Sequence, residues 1–356
     1  MTDATASPQR ILVVRNDKLG DFMLAWPALA SLKRASGANH ITVLVPGYTA
    51  ALARACPWVD EVLVDPGDQA ERRAQRELLD TLRRGRFDAL LTLFSTPRIG
   101  WLGWRAGIPL RLAPATKWAQ VFYNRRITQR RSRSEKPEYV YNLELARALQ
   151  RELGQVTPEV APPYWPLPAA ERQAQRQRLG DELGLASERP WLFLHPGSGG
   201  SAVNLTAAQY RDLAVGVSAR LTRPPLWLLT AGPGEEATAD KLAQSLGDAG
   251  LEAHRVPPRP DLAAFARTLM AADLFIAGST GPLHIAACLD RPTAGFYPAK
   301  RSATPLRWQT CNRAEQRLAF SPPALPGQET DMARIDLQAA AEAIAERIHQ
   351  QDKSEE

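Results

Sequence analysis

Short apolar runs alternate with longer amphipathic segments along the whole chain, which is the pattern of a parallel sheet covered by helices. In the first half, Ile11–Arg15, Ile41–Val45, Glu61–Val64 and Ala89–Phe94 predict strands. The segments 22–35, 49–55 and 70–84 predict the intervening helices, and 137–153 predicts a closing one. The second half repeats the alternation, with predicted strands at Trp191–His195, Leu226–Thr230, Ala253–Val256, Leu274–Ala277 and Thr293–Phe296. Helices are predicted near residues 207–219, 235–247, 262–271 and 336–351. Between the halves lies Thr157–Pro168, whose prolines at 158, 162, 163, 166 and 168 exclude a regular helix and fit an extended connection. The expected organisation is therefore α/β, with two doubly wound Rossmann-like domains at 10–156 and 169–335, a linker at 157–168 and a C-terminal helix at 336–351. Such sheets bind ligands at the carboxyl ends of their strands, so a central cleft faced by both domains is the expected site.

Composition narrows the class. Among 356 residues, 44% are hydrophobic and 23% charged, the balance of an ordinary globular protein. A net charge of +6 favours an anionic partner: a nucleotide, an anionic lipid surface or nucleic acid. Three scattered cysteines give neither a disulfide framework nor a zinc site, which points to a reducing compartment. The polar first residues lack the apolar stretch of a signal peptide, and no run approaches a membrane span. The expectation is a cytoplasmic protein, peripheral at a membrane surface at most.

Chemistry concentrates at strand ends. The run Ala277-Gly278-Ser279-Thr280-Gly281-Pro282-Leu283-His284 follows an apolar strand and opens a helix. Amides at a helix N-terminus, two hydroxyls and the positive end of the dipole suit a phosphate or diphosphate there, while tight packing alone would use the same small residues. Pro282 fits the first helical turn. Taken singly, His284 reads more readily as a packed core histidine; within this motif a ligand contact is the favoured reading. In Arg15-Asn16-Asp17-Lys18-Leu19-Gly20-Asp21, the Asp21 carboxylate reads either as an N-cap or as a general base beside Arg15 and Lys18. Ser198-Gly199-Gly200-Ser201 is either a ligand loop or a solvated turn. Glu235 and Glu236 either accept hydrogen bonds from a ribose or complement a helix N-terminus. The stretch with Arg125, Arg126, Arg130, Arg131, Arg133 and Lys136 is a solvated basic face or an anion-binding one, and nucleic acid remains a minor alternative.

Several of these segments together resemble glycosyltransferase family nine, the lipopolysaccharide heptosyltransferase family. The resemblance rests on Arg15 to Asp21 followed by Pro27-Ala28-Leu29, on Leu194-His195-Pro196-Gly197-Ser198-Gly199-Gly200-Ser201, on Phe122-Tyr123-Asn124-Arg125, and on Gly278 to Ala287 continuing into Arg291-Pro292-Thr293. It implies the GT-B fold and an inverting glycosyl transfer that needs no metal or resident cofactor, only a nucleotide-sugar co-substrate. It implies Asp21 as the catalytic base and donor contacts at Ser198, Gly199, Gly200, Ser201, Glu235, Ser279, Thr280, Gly281 and His284. Acceptor contacts fall to Arg15, Lys18 and Arg125. Heptose from ADP-heptose is the leading donor, and an anionic lipopolysaccharide inner core at the cytoplasmic face of the inner membrane is the leading acceptor. The chain departs from the family's Gly-Ser-Ala-Lys-Asn-Trp loop at Val203 and Leu205, losing a lysine expected on the donor phosphates; Lys300 or Arg301 is placed to substitute. That departure keeps open a different donor or a non-catalytic binding protein, and a sugar-nucleotide epimerase of the same fold is the rival enzyme class.

Overall fold

The computed structural model describes residues 8–115, 118–185, 188–200 and 203–355, with side chains followed to Gln351. The chain divides into two compact units. One holds the described residues up to Arg131 together with Glu135–Tyr164, and the other holds Ser132–Ser134 and everything from Trp165 onward. The crossing falls inside the proline-rich segment. Tyr164 accepts a hydrogen bond at its carbonyl from Trp58 Nε1 of the first unit (2.6 Å). The Trp165 amide donates to the Cys288 carbonyl of the second (2.8 Å).

The first unit is a parallel sheet of β1 (Arg10–Val14), β2 (His40–Pro46), β3 (Glu61–Asp65), β4 (Ala89–Thr92), β5 (Leu110–Pro114) and β6 (Arg125–Ile127), in the order β3-β2-β1-β4-β5-β6. β1 sits centrally, with Ile11 opposite Ile41 on one side and Ala89 on the other. It is covered on both faces, and its near-continuous apolar run follows from that. The second unit contains β7 (Trp191–His195), β8 (Leu226–Leu229), β9 (Ala253–Arg255), β10 (Leu274–Gly278), β11 (Thr293–Phe296) and β12 (Arg317–Phe320), ordered β12-β11-β10-β7-β8-β9. Both sheets thus have the same doubly wound order, which places a topological switch point beside β1 in one and beside β7 in the other.

Three strands go beyond the sequence expectation: β5, β6 and β12. β6 reads Arg-Arg-Ile and lies at a sheet edge, where charged residues are tolerated and blunt pairing with other chains. β5 and β12 also carry arginine, which masks the apolar run. The helices Pro97–Arg105 and Ala169–Leu183 were likewise not expected. The helix expected over 22–35 is two helices, Leu19–Met23 and Trp26–Ala35, and the last helix is Leu337–Glu355, past the expected end.

One packing contact positions the site. The helix Glu138–Glu152 lies against Trp26–Ala35, where Gln150 Nε2 donates to the Ser31 carbonyl (2.9 Å), and Asn142 Nδ2 donates to the Leu24 carbonyl just before that helix (3.0 Å). This brings Glu138 and Asn142 to the carboxyl end of β1.

Candidate active site

At the end of β1 the chain turns through Asn16 and Asp17 into the short helix Leu19–Met23. Lys18 is its N-cap residue, and Asp21 stands within the first turn. Asp21 is therefore not an N-cap. Its Oδ1 accepts from Arg15 Nη2 at 2.5 Å. The same guanidinium donates through Nε to Asp17 Oδ1 (2.9 Å) and through Nη1 to Glu138 Oε1 (3.1 Å) and Asn142 Oδ1 (3.2 Å). Arg15 is only 3% exposed, and each of its guanidinium nitrogens is engaged. The expected acceptor contact at Arg15 is corrected on that ground: the residue holds Asp21 in place instead of reaching for a ligand. Arg131 joins the cluster by donating to Glu138 Oε1 (2.7 Å).

Two arginines thus face three carboxylates. Burial pushes the Asp21 carboxyl up, and the negative charges of Asp17 and Glu138 push in the same direction against the attraction of Arg15; the result is about 6. A carboxylate there is ionised at neutral pH yet far more basic than an exposed aspartate, which are the properties a general base needs. Arg15, by contrast, is held firmly protonated: burial works against its charge, but Asp17, Asp21 and Glu138 outweigh it.

In the second unit, β10 ends at Gly278, Ser279 and Thr280 make the turn, and Gly281–Cys288 is the helix, with Pro282 in its first turn. Thr280 is the N-cap residue, but its hydroxyl caps nothing. Thr280 Oγ1 and His284 Nδ1, one helical turn apart, are both buried without a hydrogen-bond partner. Burial lowers His284 to about 4, so its ring is neutral. Buried polar groups are seldom left unsatisfied, and two on one helix-opening turn indicate a ligand edge.

Gly278 must be glycine here. A Cβ would fall 2.5 Å from Asn204 Oδ1. Asn204 in turn donates through Nδ2 to the Pro196 (2.9 Å) and Gly197 (3.3 Å) carbonyls, and its Oδ1 accepts from the Tyr210 hydroxyl (2.6 Å). It ties the loop after β7 to the end of β10.

That loop closes on Glu235. The amides of Ser198 (2.8 Å) and Gly199 (2.7 Å) donate to Glu235 Oε1, and the Gly232 amide donates to Oε2 (3.1 Å). A Cβ on Gly197 would lie 1.9 Å from the same carboxylate. Burial would raise Glu235, but the Gly199, Gly232 and Ser198 amides and the adjacent His195 hold it below the ordinary carboxylate range. His195, buried and lowered by that burial despite Glu235, sits 3.7 Å from Glu235 Oε2 and 3.0 Å from Thr230 Oγ1. Glu235 begins the helix Glu236–Asp248 as its N-cap residue without a side-chain cap, so it neither complements that helix in the simple way expected nor projects freely.

The remaining expected residues are dispersed. Gly200 is exposed at φ +66°, next to Gly199 at φ +55°, a left-handed pair that glycine adopts without strain. Ser201 lies outside the described residues. Lys18 is exposed at its helix start, and Arg301 is exposed in the short turn Arg301–Ala303 after β11. Arg125, on β6, donates to Glu152 Oε2 at 2.5 Å. Val203 is exposed and Leu205 is buried in the second core. Sequence reasoning missed Asp17, Glu138, Asn142 and Asn204. Asp17 lay within the quoted run from Arg15 to Asp21 without being singled out, and Asn204 lay in the loop where the departure at Val203 drew attention away from it.

Comparison with known proteins agrees with this fold. The family model for glycosyltransferase family 9 (heptosyltransferase) matches residues 75–326. The chain belongs to glycosyltransferase family 9. A Haemophilus influenzae relative described as "Putative glycosyltransferase" is 44% identical over 338 residues, covering 95% of each chain. Among solved structures, Escherichia coli ADP-heptose lipopolysaccharide heptosyltransferase II is similar with TM-score 0.76 and 17% identity, over 96% of this chain and 99% of that one. A family 9 glycosyltransferase from Veillonella parvula gives TM-score 0.77 and 16% identity, over 96% and 98%. E. coli heptosyltransferase WaaC, solved with ADP, gives TM-score 0.72 and 17% identity, over 95% and 99%. The protein is thus a family 9 glycosyltransferase with the fold of the heptosyltransferases, two Rossmann-like units in tandem.

Proposed function

We propose that this family 9 enzyme transfers a heptose from ADP-heptose to an anionic cell-envelope glycolipid of the lipopolysaccharide inner-core type, with inversion at the anomeric carbon. The observation that carries the reading is the Asp21 carboxylate: buried, anchored on Arg15, and raised to about 6. In this reading Asp21 accepts the proton of the acceptor hydroxyl as that oxygen bonds to the anomeric carbon. The bond to the diphosphate oxygen breaks on the opposite face, and ADP leaves. The Ser279–Gly281 turn, the Thr280 hydroxyl and neutral His284 receive the diphosphate at the positive end of a helix. Lys18 and Arg125 attract the acceptor's carboxylates and phosphates, and Arg301 supplies the donor-side cation that Val203 lacks. The ADP in one similar structure and the ADP-heptose named for another support this choice of donor. The enzyme meets its acceptor at the inner face of the membrane; no helix among the described residues is long and apolar enough to cross it.

Calorimetry with ADP, UDP, GDP and TDP sugars tests the donor, and transfer from ADP-heptose to an isolated inner-core acceptor tests the reaction. Binding of a different nucleotide sugar in preference to ADP-heptose would overturn the heptose assignment. Donor turnover without acceptor would favour an epimerase.

A further inference from the structure

The described surface of the first unit carries an aromatic cluster that the transfer reaction does not use. In the helix Pro97–Arg105, Ile99, Gly100, Leu102 and Gly103 face inward. The two glycines press the helix against its neighbours: a Cβ on Gly100 would meet Phe122 Cβ at 2.9 Å, and one on Gly103 would meet Leu90 Cδ2 at 2.4 Å. Packed this closely, the helix turns Trp101 and Trp104 outward, 41% and 52% exposed. The adjoining turn Trp118–Phe122 adds Trp118 at 85% and Val121 at 66%, and Phe122 lies 6.4 Å from Trp104 between ring centroids. Single exposed apolar residues are ordinary on a protein surface; three tryptophans on two packed elements are not.

The rim of this patch is basic. Arg105 lies over the Trp101 ring at 5.9 Å, Arg83 Nε donates to the Arg105 carbonyl, and the exposed Arg84 and Arg126 follow Arg83 and the Trp118–Phe122 turn closely in the chain. We infer that the face formed by Trp101, Trp104, Trp118 and Val121 docks the enzyme on an anionic lipid leaflet. Tryptophan is at its best where water meets acyl chain, its ring apolar and its N–H wet. Each arginine near a negative leaflet adds roughly fivefold to partitioning. The same charges disfavour a second copy as occupant, because a two-fold contact would set one arginine rim against another.

The test reads lipid binding alone, so it stands or falls separately from the heptose assignment. The full chain is sedimented with vesicles of phosphatidylcholine and with vesicles containing phosphatidylglycerol at three parts in ten. The expected result is at least tenfold tighter partitioning to the anionic vesicles. Trp101→Ala/Trp104→Ala/Trp118→Ala should lose at least tenfold on them, and Arg105→Gln/Arg126→Gln should lose the preference for anionic lipid. Trp118→Ala alone, at the most exposed position, should lose severalfold while the melting curve stays unchanged. The inference is overturned if the wild-type chain ignores both vesicle types, or if the triple variant binds as well as wild type. It is equally overturned if sedimentation velocity shows a wild-type dimer that the triple variant abolishes.

Discussion

Replacing Asp21 with asparagine should stop catalysis and stabilise the protein at the same time. Asparagine keeps an oxygen to accept from Arg15, so the geometry is preserved, while one charge leaves a cluster in which Asp17, Asp21 and Glu138 share Arg15 and Arg131. Breaking a buried ion pair ordinarily costs several kcal/mol because it strands the partner, but Arg15 retains Asp17 and Glu138. The sign follows from linkage. A carboxyl raised from 3.8 to about 6 in the folded state favours folding fully only below 3.8, and that contribution is lost as pH rises through 6. At pH 8 the wild type therefore carries a penalty of up to about 3 kcal/mol that the variant lacks. Urea unfolding of both proteins at pH 8, 7, 6 and 5, followed by near-ultraviolet circular dichroism, measures it. The variant's advantage should be greatest at pH 8 and shrink through pH 6, while transfer activity at pH 8 falls by roughly two to four orders of magnitude. A variant less stable than wild type at pH 8, or an advantage that grows in acid, would refute the reasoning: attraction to Arg15, not burial and repulsion, would then dominate.

Three further outcomes are expected. Below pH 6 wild-type kcat/KM should drop about tenfold per pH unit, and Asp17→Asn, which removes a charge that raises Asp21, should move that limb to lower pH; a limb that stays in place or moves up would exclude Asp21 as the titrating base. Gly278→Ala puts a methyl group 2.5 Å from Asn204 Oδ1 and should weaken ADP binding by about tenfold or more in calorimetry, as the loop after β7 loses its tie; unchanged affinity would show that this tie does not shape the donor site. Val203→Lys should tighten ADP binding by about tenfold through one charge-assisted contact, and no change would mean that Arg301 or a main-chain amide already meets the phosphates.

The fold was largely legible because a strand covered on both faces has no polar positions to disguise it: β1, β7 and β10 read directly. β6 did not, since an edge strand of Arg125, Arg126 and Ile127 obeys rules of solvation and pairing, not burial. The candidate site was legible where it is local. Asp21, Thr280 and His284 lie in motifs whose spacing reports a strand-to-helix turn. Glu138 could not be found that way. It looks like one more acid in a charged helix, and only the docking of Glu138–Glu152 on Trp26–Ala35 places it on Arg15. The same docking shows why Arg15 looked like an acceptor ligand: an arginine at a strand's carboxyl end is read as reaching outward unless its distant carboxylates are known. Glu235 was singled out as an acceptor of hydrogen bonds from a ribose, but in the structure it is engaged by amides from a loop 36 and 37 residues away.

The bond between Arg15 and Glu138 spans 123 residues of chain. During synthesis, Asp21 emerges well before Glu138, so the arginine that orients its carboxylate is not locked until nearly the whole first unit has followed. A shortened chain ending after β6 would keep every motif around Asp21 and still leave that carboxylate loosely aimed. Chimaeras that exchange first units between relatives should therefore be joined beyond Tyr164, so that the helix bearing Glu138 travels with the strand it completes.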